Sequence, residues 1–332
     1  MTALRSGRKG MILNAVLTVL ALGLLGWTVW SNRQQLAEVW SKKPDFRLFG
    51  LALIVYVMAL LVTFVRWYCL VTALELPFRF RDAIRLGFIG NVFNLVIPGA
   101  VGGDVIKAAF LCREQEKKTQ AVASMVIDRA LGLLGLFVLA SIFGAFIWSG
   151  APRDVRLLVA IAWIMVTCGF AGLAILFTPS LYRPLTRILP VDGKLVRSFG
   201  QLVEMADAYR QRLGVVLLGL GLATIGHGLY VLAFYLADRG LFGLKAPSLI
   251  SHFVVVPLIL LSTAIPLPFG ALGVSEGFAE TLFHGILGFS GGAIATLGYR
   301  VVMYSAGLVS VLFYLASIRQ VRSLRGDDFS TS

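Results

Sequence analysis

Seven ionisable residues stand inside or beside long apolar blocks: Arg66, Asp104, Lys107, Asp128, Arg129, Glu276 and Arg300. Charge is costly in such surroundings, so these groups normally face a partner or a water-filled cavity. Arginine adds a specific chemistry, because its planar fork matches the oxygens of a carboxylate or a phosphate. Two readings stay open. The arginines form structural ion pairs, with Asp104 a partner for Arg129 and Glu276 for Arg300, or they contact an anionic lipid headgroup directly. Asp104 and Glu276 follow Gly-rich turns, where the plainer role is an N-cap or a dipole partner. Lys107 either assists or snorkels to a surface. Asp128 and Arg129 are neighbours, about 100° apart around a helix, so they do not point in one direction.

Other motifs carry less. Gly273-Val274-Ser275-Glu276-Gly277 matches G-x-S-x-G, but a nucleophile elbow needs a strand before it, and nothing there reads as a strand. No pattern fixes His227, His252 or His284 near Ser275 as a base. Gly99 to Asp104 lacks the Gly-Lys-Ser/Thr ending of a phosphate-binding loop. Cys69, Cys112 and Cys168 have no ligand-like spacing, which argues against a disulfide framework or a zinc site. No catalytic residue, metal or cofactor is expected.

The elements that must position these charges are membrane helices. Apolar residues make up 58% of the 332-residue chain and charged residues only 14%. Apolar blocks predict six full spans, at about 11–31, 48–74, 119–149, 155–178, 213–238 and 292–318. Met11 to Trp30 is too long for a signal peptide and lacks a small-residue cleavage site, so it reads as an uncleaved span. Two more apolar regions, 82–113 and 248–288, are interrupted by Pro and Gly and read as re-entrant pairs of half-helices. The breaks are Pro98, Gly99, Gly102 and Gly103 in the first, and Pro268, Gly270 and Gly273 in the second. Proline stops a helix, and an unwound backbone is tolerated at membrane depth only where protein or a cavity receives it.

Net charge is +13. In a soluble protein this would suggest nucleic acid. No nucleic-acid motif accompanies it, and the cations lie mostly between the spans, which suggests anionic headgroups instead. With the N-terminus inside, cytoplasmic segments hold 19 Lys/Arg and outside segments 8. That bias predicts a multi-pass protein of the cell (inner) membrane with both termini cytoplasmic. The exception is the outside loop 32–47, with Arg33, Lys42, Lys43 and Arg47. An amphipathic segment at about 192–213 places Leu195, Phe199, Leu202, Ala206 and Tyr209 on one face. It lies on the cytoplasmic surface or packs as an elbow between halves.

The two breaks are related. Gly99-Ala100-Val101-Gly102 and Gly270-Ala271-Leu272-Gly273 are offset by 171 positions, and the same offset carries Arg129 onto Arg300. Three full spans separate the breaks, so the two re-entrants enter from opposite sides. The expected fold is an all-α integral membrane protein, with six full spans plus two re-entrant half-helix pairs in two inverted-topology repeats. The chain is one membrane domain, with repeat one at about 11–149 and repeat two at about 155–318. Arg129 and Arg300 are expected to face a shared interior. Interrupted helices meeting near the midplane are a transporter architecture.

Several of these runs resemble one family. Gly90-Asn91-Val92-Phe93-Asn94, Pro98-Gly99, Gly102-Gly103-Asp104-Val105-Ile106-Lys107 and Asp128-Arg129-Ala130-Leu131-Gly132 are similar to the lysylphosphatidylglycerol synthetase transmembrane region, or flippase-like domain. Pro268-Phe269-Gly270 with Gly273 to Gly277 resembles its second signature, Tyr299-Arg300 its last, and Arg66-Trp67 its early span. The resemblance covers about residues 10–320. Lys107 departs from it, since arginine is expected there. Full-length relatives add an aminoacyl-transferase domain, and the end at Ser332 predicts that this activity is absent.

The resemblance implies a lipid flippase-like transporter that moves an anionic phospholipid or a polyprenyl-linked lipid between leaflets, with no enzymatic activity. An integral-membrane enzyme acting on lipid-linked headgroups, or a non-transporting accessory subunit, is the alternative. Expected partners are anionic membrane lipids and no nucleic acid. A homo-oligomer or a separate lipid-modifying enzyme stays open.

Overall fold

A computed structural model describes residues 23, 25–96, 102–114, 118–178, 180, 203–204, 206–262 and 272–326. These form α1 (Arg33–Ser41), α2 (Phe46–Ala73), α3 (Phe80–Val96), α4 (Gly102–Glu114), α5 (Lys118–Ile147) and α6 (Arg153–Phe177). They continue as α7 (Leu213–Phe242), α8 (Leu249–Ser262), α9 (Val274–Leu287) and α10 (Gly292–Gly326). No strand occurs among the described residues.

Five helices among the described residues are long and apolar enough to cross a membrane: Phe46–Ala73, Lys118–Ile147, Arg153–Phe177, Ala206–Lys245 and Gly292–Leu315. They match the predicted spans beginning at 48, 119, 155, 213 and 292. The shortest, 24 residues, extends about 36 Å at ~1.5 Å per residue, enough for a ~30 Å hydrocarbon core. Of the predicted span 11–31, residues 11–22 and 24 lie outside the described residues, and 25–31 are helical.

Both interrupted regions contain two short helices, α3 with α4 and α8 with α9. The break residues Pro98, Gly99, Pro268 and Gly270 lie outside the described residues. So do Leu195, Phe199 and Leu202 of the amphipathic segment. Its described end is helical from Ala206, passes through a 3₁₀ turn at Arg210–Arg212 and enters α7. Ala206 and Tyr209 there are fully buried, and the Tyr209 hydroxyl donates to the Leu70 carbonyl at 2.9 Å.

The predicted end of one span needs correction. α7 does not stop at 238 but runs to Phe242. Asp238, the last residue of the predicted span, lies inside the helix, and His252 bonds one of its carboxylate oxygens. The Asp45 N–H also bonds the Gly240 carbonyl at 2.9 Å.

The described residues form two compact units. One comprises those up to Met58, Ile84–Lys107 and those from Leu229 onward; the other comprises Ala59–Ala83 and Ala108–Gly228. In the first, α8 packs on α9 and α9 on α10, around an aromatic core of Tyr56, Tyr230, Phe234, Phe283 and Tyr299. The α3–α4 crossing is close because glycine stands on both sides. A Cβ at Gly103 would lie 2.1 Å from the Gly90 carbonyl oxygen, so Gly103 could not carry a side chain without the helices parting. In the second unit, α5 packs on α6, and Trp67, Leu70, Leu131 and Tyr209 are nearly or fully buried.

Candidate functional site

In the first unit, the site is built on the α9–α10 hairpin. The chain enters α9 through Gly273 at φ +84°, a conformation glycine adopts without a steric penalty. Three residues on, Glu276 turns back and its Oε2 accepts the Gly273 N–H at 2.6 Å. This is the return arm of a capping box, and it places a carboxylate at a helix N-terminus. The Ser275 hydroxyl donates to the same oxygen at 3.1 Å. Arg300 on α10 donates through Nε to Glu276 Oε1 and through a terminal nitrogen to Ser275 Oγ at 2.7 Å. Ser275 is 1% exposed, Glu276 0% and Arg300 6%.

Local geometry sets the register of this pair. One turn beyond Glu276, Glu280 Oε2 accepts the N–H groups of Gly291 and Ala293 at 3.2 and 3.0 Å. It thereby ties the start of α10 to α9. A Cβ at Gly292 would lie 2.5 Å from the Ala279 carbonyl oxygen, so the two backbones touch there.

The first turn of α4 holds a related but looser arrangement in the same unit. Asp104 Oδ1 lies 3.9 Å from Lys107 Nζ, and Lys107 is buried with its stem over Gly90. The Asn94 side chain accepts the Gly103 N–H at 2.8 Å and so caps the half-helix in place of Asp104. Each interrupted region thus puts an acid and a buried cation at the start of its second helix.

The second unit holds Arg66 and Asp128 as a two-pronged pair, Nε to Oδ1 at 2.7 Å and Nη2 to Oδ2 at 3.0 Å. Both residues are buried. Gly132, one turn beyond Asp128, leaves room for the guanidinium, since a Cβ there would lie 3.3 Å from Arg66 Nη2. The Gly132 carbonyl lies 3.0 Å from His227 Nε2. Arg129 is exposed and its neighbour Asp128 is buried. Arg66 is the buried guanidinium of this unit.

Of the residues singled out from sequence, Glu276 and Arg300 meet directly, with Ser275 as a third member. Arg66 and Asp128 also meet, a pairing no local pattern announces. One buried pair was missed, Asp238 with His252. An acid within reach of an apolar block was its only signal. The first unit also holds an apolar cavity of about 420 Å³ lined by Trp40, Phe46, Phe49, Leu241, Ile294 and Val301, among others.

The family model for the lysylphosphatidylglycerol synthase TM region matches residues 11–310. No curated protein and no solved structure matches the chain.

Proposed function

We infer a transport function from one premise: the chain belongs to the family of the lysylphosphatidylglycerol synthase transmembrane region. A multi-pass membrane protein with a lipid-related role follows from that membership and from the apolar helices. The finer reading is a flippase-like translocator that carries an anionic phospholipid or polyprenyl-linked lipid between leaflets, without covalent chemistry.

One observation supports it most: a buried guanidinium held by a carboxylate and a serine hydroxyl at the start of an interrupted helix. A helix N-terminus with an arginine beside it suits phosphate. Glu276 occupies that position when no lipid is bound. A headgroup phosphate replaces its hold on Arg300, so no buried charge is stranded during the exchange. Asp104 and Lys107 supply a second, weaker contact. The apolar cavity suits a lipid tail, which stays among apolar side chains while the headgroup crosses.

Two inverted repeats with re-entrant breaks supply the alternating access this function needs. A separate lipid-modifying enzyme or a second copy of the chain is the partner it allows. In this reading both termini are cytoplasmic and residues 240–247 face outside. Cysteine labelling at Ser332 and Gly243 is expected to come from opposite sides. Labelling of both from one side would remove the inverted arrangement.

The direct test is reconstitution into phosphatidylcholine vesicles containing fluorescent phosphatidylglycerol, with leaflet exposure followed by a membrane-impermeant quencher. The protein is expected to equilibrate the probe between leaflets faster than protein-free vesicles do. Vesicles that remain inert to phosphatidylglycerol and to a labelled polyprenyl phosphate would replace transport with the accessory-subunit reading.

A further inference from the structure

Outside the headgroup site, the first unit contains a second pair of fully buried titratable groups. Asp238 on α7 and His252 on α8 are both 0% exposed. His252 Nε2 lies 2.9 Å from Asp238 Oδ2, and Nδ1 lies 2.9 Å from the Ser248 carbonyl oxygen. The other carboxylate oxygen, Oδ1, is buried with no hydrogen-bond partner among the described residues. Aromatic rings surround the imidazole: Tyr235 at 5.1 Å, Phe283 at 5.5 Å and Phe234 at 6.0 Å between centroids. A buried carboxylate oxygen without a hydrogen-bond partner among the described residues is costly, which is reason to ask what the pair does.

The geometry counts protons. The Ser248 carbonyl can only accept, so Nδ1 must carry a hydrogen to bond it. The contact between Nε2 and Oδ2 then needs one further proton, on nitrogen or on oxygen. With that proton present, both hydrogen bonds hold and the pair is neutral overall. Once it leaves to water, a neutral imidazole has a single N–H. If it stays on Nδ1, a bare carboxylate faces a nitrogen lone pair. If it moves to Nε2, the Nδ1 lone pair faces the carbonyl. Either way one bond is lost, and a net negative charge remains in an aromatic pocket. Release of one proton therefore costs either the Asp238–His252 bond that joins α7 to α8 or the bond from His252 to the Ser248 carbonyl at the start of α8.

The surroundings offer little to compensate. Arg239, next along α7, is the other charged group whose field reaches the carboxylate. From α9 the facing residue is Phe283, while His284 beside it is exposed and turns to Ser290 Oγ. From α10, Tyr299 packs on Phe234 while Arg300 is held by Glu276. Asp45, whose backbone bonds Gly240, turns its carboxylate to the Arg47 N–H. Rings dominate this pocket.

We propose that Asp238 and His252 form a proton-binding site, and that loading and unloading its single proton drives lipid movement at the Glu276–Arg300 site. The proposal rests on the transport reading above and supplies its energy source. Its connection to the headgroup site is physical. α8 carries His252 and leads toward the second break, and α9, whose Phe283 packs on the imidazole, begins with Ser275 and Glu276. Each cycle takes one proton from water on one side and returns it to water on the other, with no further reactant. A proton moving together with a monoanionic headgroup transfers no net charge, so the membrane potential does not oppose the step.

The test uses the full chain in phosphatidylcholine vesicles with fluorescent phosphatidylglycerol and an imposed pH gradient. With one proton per lipid, the steady-state leaflet ratio is expected to shift about tenfold per pH unit of gradient. Asp238→Asn and His252→Gln should remove this shift, and Asp238→Glu should retain part of it. A gradient response of wild-type size in both folded variants would overturn the proposal. Proton binding is read independently by infrared titration of the carboxyl stretch. A titrating band present in wild type and missing in Asp238→Asn, in vesicles that move no lipid, would keep the proton site and remove the transport reading. Lipid movement without such a band would do the reverse.

Discussion

Arg66→Met is expected to destabilise the protein by about 3–5 kcal/mol, the usual cost of leaving one member of a buried ion pair alone. Both oxygens of Asp128 are engaged by Arg66, and both residues lie in uninterrupted membrane helices, α2 and α5. Without the guanidinium, the buried carboxylate loses both of these hydrogen bonds and has little access to water to replace them. Asp128→Leu should cost a similar amount for the opposite reason. The double variant Arg66→Met/Asp128→Leu should recover most of the loss, because two apolar side chains of fitting size often replace a buried pair at little cost. Thermal unfolding of the purified protein in detergent gives all three values. Single variants as stable as wild type would show that the pair is not holding α2 to α5. The interaction energy from the cycle separates coupling from two independent losses.

The second large effect falls on transport. Arg300→Ala is expected to reduce the rate of phosphatidylglycerol movement at least tenfold, equivalent to about 1.4 kcal/mol of lost binding. Arg300→Lys should be milder, since it keeps the charge but loses the fork that reaches Glu276 and Ser275 together. A structural role alone would predict something different. The double variant Glu276→Leu/Arg300→Met removes both charges and should restore most of the stability lost in Arg300→Ala. If the pair only braces the α9–α10 hairpin, transport returns with stability. If it handles the headgroup, the double variant folds and remains inactive. Unfolding and leaflet-exchange measurements on the same preparations distinguish the two outcomes.

The long spans were legible because their signal is local. An apolar block such as the one predicted at 48–74 has no alternative to a buried helix, and the helix runs from Phe46 to Ala73. The interrupted regions were legible for a similar reason, since proline and glycine act on their immediate neighbours. Pairing was legible only where a repeat or a cap pointed to it. Glu276 follows a glycine turn, and its partner Arg300 lies on the next helix. Arg66 and Asp128 are 62 positions apart, and nothing in either segment selects the other. Asp128 and Arg129 could not be ranked either, because adjacency fixes the angle between them but not which one turns inward. Asp238 was placed at the very end of a predicted span, and nothing local there announced His252 as its partner.

The hairpin that holds Glu276 and Arg300 also bears on how the protein assembles. Their contact closes a separation of 24 residues, whereas the Arg66–Asp128 contact closes 62. Loop-closure entropy grows with that separation, and local contacts form sooner than distant ones. The glycine turn, the Glu280 clasp and the ion pair all lie within one stretch of chain, from Gly273 to Arg300. That stretch carries its own instructions for meeting itself. The Glu276–Arg300 hairpin thus depends less than the Arg66–Asp128 pair on the order in which earlier segments enter the bilayer. A destabilising change at Arg66 or Asp128 would impair the yield of folded protein while leaving the Glu276–Arg300 contact formed in the molecules that fold.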